Sequence, residues 1–145
     1  MKRIVIDTSV VLKWYLVDEE HGQKALGILD KYVSNELDIL APSLLEYEVI
    51  NGLIIAKKRG RITEKKILTA IDGFISLEIK LINLSLFYPQ VIHYSDIYSR
   101  SAYDASYLAL ADDERISLVT ADKGLYTAVK KDLKWVEWLG DLKLS

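Results

Sequence analysis

Residues 3–9 read Arg-Ile-Val-Ile-Asp-Thr-Ser, a β-branched run closed by three polar residues, and this stretch decides the class of fold. Branched side chains favour strands and the polar triplet supplies a loop, so Arg3–Ile6 reads as a buried strand. Ser9 is placed as the cap of a following helix, in which Val10, Val11, Trp14 and Tyr15 recur at three- and four-residue spacing. The pattern returns at Ile116–Thr120, where a β-rich run again ends in a polar triplet, Thr120-Ala121-Asp122. Working outward, further strands are expected at Asp38–Ala41, Ile79–Leu84 and Lys134–Leu139. Helices are expected at Glu20–Val33, Pro42–Arg59, Pro89–Tyr98, Ser101–Asp113 and Leu125–Lys131, with another from a Thr63 cap to Leu77 and Gly60 as a stop. Strands separated by helices imply parallel βαβ units with right-handed crossovers. The expected fold is therefore α/β, a three-layer α/β/α sandwich around a central parallel sheet.

The 145 residues are half hydrophobic and 28% charged, with no repeat and no linker, which fits a single domain over 1–145. A chain of this size buries about 68–70% of its unfolded surface, enough for a core without staples. It has no cysteine, which excludes disulfides and thiolate metal sites. The apolar runs are too short for a membrane-spanning helix or a signal peptide, so a soluble, cytoplasmic protein is expected. Net charge is −2, which by itself argues against a nucleic-acid partner. If four carboxylates gather around metal, however, the rest of the molecule carries +2, and net charge no longer decides the partner.

In a parallel sheet, ligands bind beyond the carboxyl ends of the strands, and two acids, Asp7 and Asp122, stand just there. Glu48 and Asp104 are the other candidates, each near the start of an expected helix and set in apolar sequence. Glu46 competes with Glu48, but at about 100° per residue the two point about 200° apart. Glu48 shares a side with Asn51 beside the Leu45/Val49/Gly52 stripe, so Glu48 is chosen. Asp104 is flanked by Ala102, Ala105 and Ser106 in a helix that reads as buried. A buried carboxylate without a partner is costly, and the partner expected for it is a cation. Hard oxygen donors without His or Cys favour Mg²⁺ or Mn²⁺ over zinc.

Four segments in order, I-V-I-D-T-S-V, P-x5-E-x2-N, Y-D-A-x-Y-x-A-L-A and V-T-A-D-x-x-L, resemble the PIN domain family across essentially the whole chain. Within that family the compact VapC-type toxins of prokaryotic toxin–antitoxin pairs are the most similar. The resemblance implies a Mg²⁺-dependent endoribonuclease, with Mn²⁺ as an alternative ion, held by Asp7, Glu48, Asp104 and Asp122. It implies an RNA substrate, a homodimer and an antitoxin protein that blocks the site. A metal ion there would neutralise the scissile phosphate and make a bound water a better nucleophile than bulk water. Thr8, Ser9 and Thr120 are expected to hydrogen-bond carboxylates or phosphate, and Asn51 to orient Glu48.

Each acid also has a plainer reading. Asp7 and Asp122 can be helix caps, Glu48 a solvated helix residue, and Asp104 a cap or a salt-bridged acid. The basic run Lys57-Lys58-Arg59-Gly60-Arg61, with Lys65 and Lys66, reads as a solvated helix end or as a guide for an RNA backbone. Tyr88, Tyr94, Tyr98, Tyr103 and Tyr107 read mainly as core, with base stacking or a subunit interface as alternatives. Trp135 and Trp138 fall on opposite sides of the last strand, so at least one is expected outside the core. Three other functions fit parts of the pattern: an RNA-processing nuclease without an antitoxin, a receiver-like phosphotransfer domain, and a non-catalytic binding module. The phosphotransfer reading lacks the second acid beside Asp7, where Thr8 and Ser9 stand instead.

Overall fold

The computed structural model describes residues 1–144. Five strands form one sheet: β1 (Lys2–Ile6), β2 (Leu37–Pro42), β3 (Lys80–Ile82), β4 (Ser117–Thr120) and β5 (Val136–Trp138). Their order is β3-β2-β1-β4-β5, and every neighbouring pair is parallel. The central strands are buried on both faces, with Val5, Ile6, Ile39, Leu40, Leu118 and Val119 fully shielded, as continuous apolar strands of a parallel sheet require.

Among the described residues seven α-helices cover the sheet: α1 (Thr8–Tyr15), α2 (Gly22–Val33), α3 (Leu45–Lys58), α4 (Glu64–Ser76), α5 (Tyr88–Tyr98), α6 (Ala102–Glu114) and α7 (Lys123–Val129). From β1 the chain steps one way to β2 and β3, then returns across the sheet to β4 and β5. Right-handed crossovers therefore put α1–α4 on one face and α5–α7 on the other, giving the expected three layers. The order reverses between β1 and β4, the place where open α/β sheets form a crevice at their carboxyl edge. Helix α6 is buried along Ala105–Ala111, so it lacks the usual polar face and packs against β1, β2 and β4.

Several boundaries differ from the sequence reading, each for a local reason. Asp7, not Ser9, caps α1, because its carboxylate reaches the Ser9 amide at 3.1 Å. Pro42 ends β2, in register with Ile82, so α3 begins at Leu45 instead of Pro42. The third strand stops at Ile82 because Asn83 accepts a hydrogen bond from the Ser85 amide and starts a 3-10 turn over Leu84–Leu86. Helix α2 begins at Gly22, after His21 in a left-handed conformation, and α7 begins at Lys123, two residues earlier than expected. The last strand is only Val136–Trp138. The Thr63 cap and the Gly60 stop are as expected; Gly60 has φ +73°.

Trp135 and Trp138 are both half-buried, against Tyr94 and Tyr126 respectively. Among the described residues no helix is long and apolar enough to cross a membrane.

Candidate active site

Asp7 leaves the end of β1 at the carboxyl edge and is 5% exposed. Its two oxygens are held by hydroxyls from both sides of the crevice: Ser9 donates to Oδ1 and Thr120, from the end of β4, donates to Oδ2. Those hydroxyls are themselves aimed by the backbone, since the Ala121 amide donates to Ser9 Oγ at 2.8 Å and the Asp122 amide to Thr120 Oγ1 at 3.0 Å. Burial nevertheless pushes the Asp7 carboxyl up to about 6, against the lowering effect of Ser9 and Thr120, and the nearby Asp122 adds to the rise.

Asp122 caps α7 by accepting from the Leu125 amide at 3.1 Å, which leaves Oδ2 turned toward Arg100 at 4.0 Å. Arg100 lies just before α6 and grips Asp104 Oδ2 through Nε and Nη2 at 3.1 and 2.8 Å. Asp104 is thus half-buried and paired within the chain, which corrects the expectation of a buried carboxylate without a partner.

Glu48, in the first turn of α3, accepts at Oε1 from Thr8 at 2.8 Å and from Tyr107 at 2.7 Å. Tyr107 lies three residues beyond Asp104 and so on the same side of α6. Its phenol is buried among Glu48 and Asp7, and desolvation drives its pKa far up, so it is a permanent donor. Both donors fall on Oε1, so Glu48 Oε2 is left with no hydrogen bond among the described residues.

The contacts form a closed circuit. Hydrogen bonds and ion pairs link Asp7–Thr120–Asp122–Arg100–Asp104 and Tyr107–Glu48–Thr8, and the chain itself closes the ring, through α6 between Asp104 and Tyr107 and through the peptide bond between Thr8 and Asp7. All four acids expected from the sequence lie on it, with Thr8 and Thr120, and Ser9 joins it at Asp7. Asn51 does not: it is exposed on α3 and makes no hydrogen bond to Glu48, whose orientation comes from Thr8 and Tyr107. The sequence reading missed Arg100 and the site role of Tyr107. The spacing to Asp104, four residues before and three after, was the signal available for both.

The donor set is oxygen throughout, which suits a hard divalent cation. Among the described residues no three His, Cys, Asp or Glu side chains group tightly enough to enclose an ion alone. Mg²⁺ does not require such a cage; it is commonly held by one or two carboxylates with waters completing its shell. Asp7 is the observation that fits best. It is a buried acid with its oxygens fixed and its ionised form disfavoured, and a nearby cation corrects that deficit.

The PIN domain family profile matches residues 4–131. The chain belongs to the PIN domain family. PIN domains are generally nucleases, so a nuclease is the family-level reading of this crevice. By structure, this PIN domain is similar to PAE2754 from Pyrobaculum aerophilum, with TM-score 0.67, 21% identity, and coverage of 96% of this chain and 92% of that one. It is also similar to Mycobacterium tuberculosis VapC20 (Rv2549c), described as a Sarcin-Ricin loop cleaving toxin, with TM-score 0.61, 14% identity, and coverage of 87% and 95%. At these identities the two structures bear on the fold. No curated protein matches the sequence.

Proposed function

We propose that this PIN domain, as one unit over 1–145, is a Mg²⁺-dependent endoribonuclease and the toxin of a toxin–antitoxin pair. The observation that carries the catalytic reading is the circuit of four acids at the crevice between β1 and β4, with Asp7 buried and held up to about 6. Asp7, Asp104 and Asp122, with the free oxygen of Glu48, would hold the ion, one or two of them directly and the others through its bound waters. When bound there, Mg²⁺ or Mn²⁺ supplies charge neutralisation at the scissile phosphate and acidifies water.

The chain's own residues do the positioning. Ser9 and Thr120 fix both oxygens of Asp7, so the carboxylate needs little rearrangement when a cation arrives. Thr8 and Tyr107 hold Glu48 by one oxygen and leave the other to accept a proton from an attacking water or to bind the ion. Arg100 limits the negative charge at the mouth, where a polyanion must approach. Water as nucleophile leaves a 5′-phosphate on the downstream fragment. The cytoplasmic location, the homodimer and the antitoxin partner belong to the same proposal and are supported by likeness to VapC-type proteins.

The test is incubation of the purified protein with total cellular RNA in Mg²⁺, in Mn²⁺ and in EDTA, followed by mapping of new ends. Discrete cuts bearing 5′-phosphates, absent in EDTA, are expected. Cuts that persist in EDTA, or that carry 2′,3′-cyclic phosphates, would contradict the proposal.

A further inference from the structure

Beside the crevice, and outside the circuit of acids, lies a groove of about 430 Å³. Its walls are the start of α3, the start of α6 and the 3-10 turn leading into α5, so it opens at the same carboxyl edge of the sheet. Leu44, Leu84, Phe87 and Val91 make its lining mainly apolar. Two tyrosines flank it with unusually free rings: Tyr47 is 78% and Tyr103 63% exposed. Single exposed aromatics need no explanation, but two on one apolar groove are a patch. Each precedes an acid of the site in sequence, Tyr47 before Glu48 and Tyr103 before Asp104, so groove and crevice share the same two helix starts. The groove also contains Glu46, which has neither a hydrogen bond nor an ion pair among the described residues.

On the proposed reading of the crevice as an RNA-cleaving site, we infer that this groove receives one unstacked nucleobase next to the scissile phosphate, stacked on Tyr47 or Tyr103 and chosen by Glu46 for an exocyclic amine. Aromatic faces are the common means of holding splayed single-stranded bases. The volume is within the range of about 300–1,000 Å³ typical of pockets for small ligands. A carboxylate repels phosphate but accepts from the amino groups of adenine, cytosine or guanine. Uracil offers it only carbonyls and one ring N–H, so uracil is the disfavoured base. Glu46, set aside at the sequence level because it points away from Glu48, acquires a role by that same divergence.

The test measures binding of short fluorescein-labelled oligoadenylate, oligocytidylate and oligouridylate to the Asp104→Asn protein in Mg²⁺, alone and with Tyr47→Ala, Tyr103→Ala, Tyr103→Phe or Glu46→Gln added. The inference expects adenylate and cytidylate to bind more tightly than uridylate. It expects about tenfold weaker binding when the stacking ring is removed and retention with Tyr103→Phe. Glu46→Gln should narrow the gap between uridylate and the others. Equal affinity in all variants would overturn it, as would no binding of any oligomer. Conversion of a dimer to a monomer by the tyrosine variants in sedimentation would overturn it in favour of a contact between copies. Failure of the nuclease reading looks different: the oligomers bind as expected, but the protein without Asp104→Asn cuts no RNA in any metal.

Discussion

Tyr107 donates to Glu48 Oε1 at 2.7 Å, on the same oxygen that accepts from Thr8 at 2.8 Å. A buried phenol on α6 thereby sets the direction of a carboxylate on α3, from 59 residues away in sequence. Removing the hydroxyl in Tyr107→Phe leaves the ring packed and Thr8 still donating. The loss of one hydrogen bond to a charged group is expected to cost about 1–3 kcal/mol of stability, read from urea midpoints. RNA cleavage should fall by about tenfold with the metal requirement unchanged. Unaltered cleavage would show that Glu48 needs no help from α6.

Asp7 gives a pH dependence with a definite sign. Its carboxyl is raised by burial from 3.8 to about 6 in the folded protein. A raised folded value stabilises the protein fully below about pH 4, and that contribution is lost as pH rises through about 6, amounting to about 3 kcal/mol. In EDTA, the stability of wild type relative to Asp7→Asn should therefore decline between pH 4 and pH 7. Added Mg²⁺ should restore it more at pH 8 than at pH 5, because cation binding favours the ionised form. Parallel profiles for the two proteins would contradict this.

Thr120→Val tests the hydroxyl that both donates to Asp7 and accepts from the Asp122 amide. The substitution leaves a buried carboxylate oxygen and a half-buried amide each without its partner, at about 2–4 kcal/mol. The Asp7 pH profile should shift to higher pH, because a hydrogen bond to the ionised form is gone. Thr120→Ser keeps the hydroxyl and should restore the wild-type profile.

The sequence made the strand-end acids legible because a parallel sheet has only one functional edge, and Asp7 and Asp122 each follow a β-branched run that stops abruptly. Glu48 was separable from Glu46 by helical geometry alone. For Asp104 the pattern is less informative: small neighbours mark a buried helix, but Arg100 supplies a partner from the preceding loop, outside the helix whose periodicity is read. Asn51 shared a helix side with Glu48, yet periodicity gives direction along one helix and not which of its turns meets a neighbour. Glu48 meets Thr8 across the contact of α3 with α1, the same contact in which a Cβ at Gly52 would stand 2.6 Å from Leu12 Cδ1. The strand ends at Pro42 and Ile82 were misplaced by a similar limit, since edge pairing let Pro42 finish a strand that its residue type suggested would open a helix.

Gly52→Val places a branched side chain into that contact. Overpacking is expected to cost about 1–3 kcal/mol and to part α3 from α1. Glu48 then loses its hold on Thr8, and cleavage should fall further than in Tyr107→Phe. A fully active, equally stable Gly52→Val protein would show that the close approach is not what positions Glu48.

The most direct test of the central claim compares wild type with Asp104→Asn on one RNA that the wild type cuts, in Mg²⁺ and in EDTA, with thermal unfolding of both proteins measured in parallel. Asp104→Asn keeps the shape of the side chain and its place beside Arg100 but removes the charge. The expected result is loss of cleavage by at least about 100-fold with a melting temperature close to wild type, matching what EDTA does to the wild type. Equal cleavage by the two folded proteins in Mg²⁺ would contradict the claim that these carboxylates form a metal-dependent nuclease site.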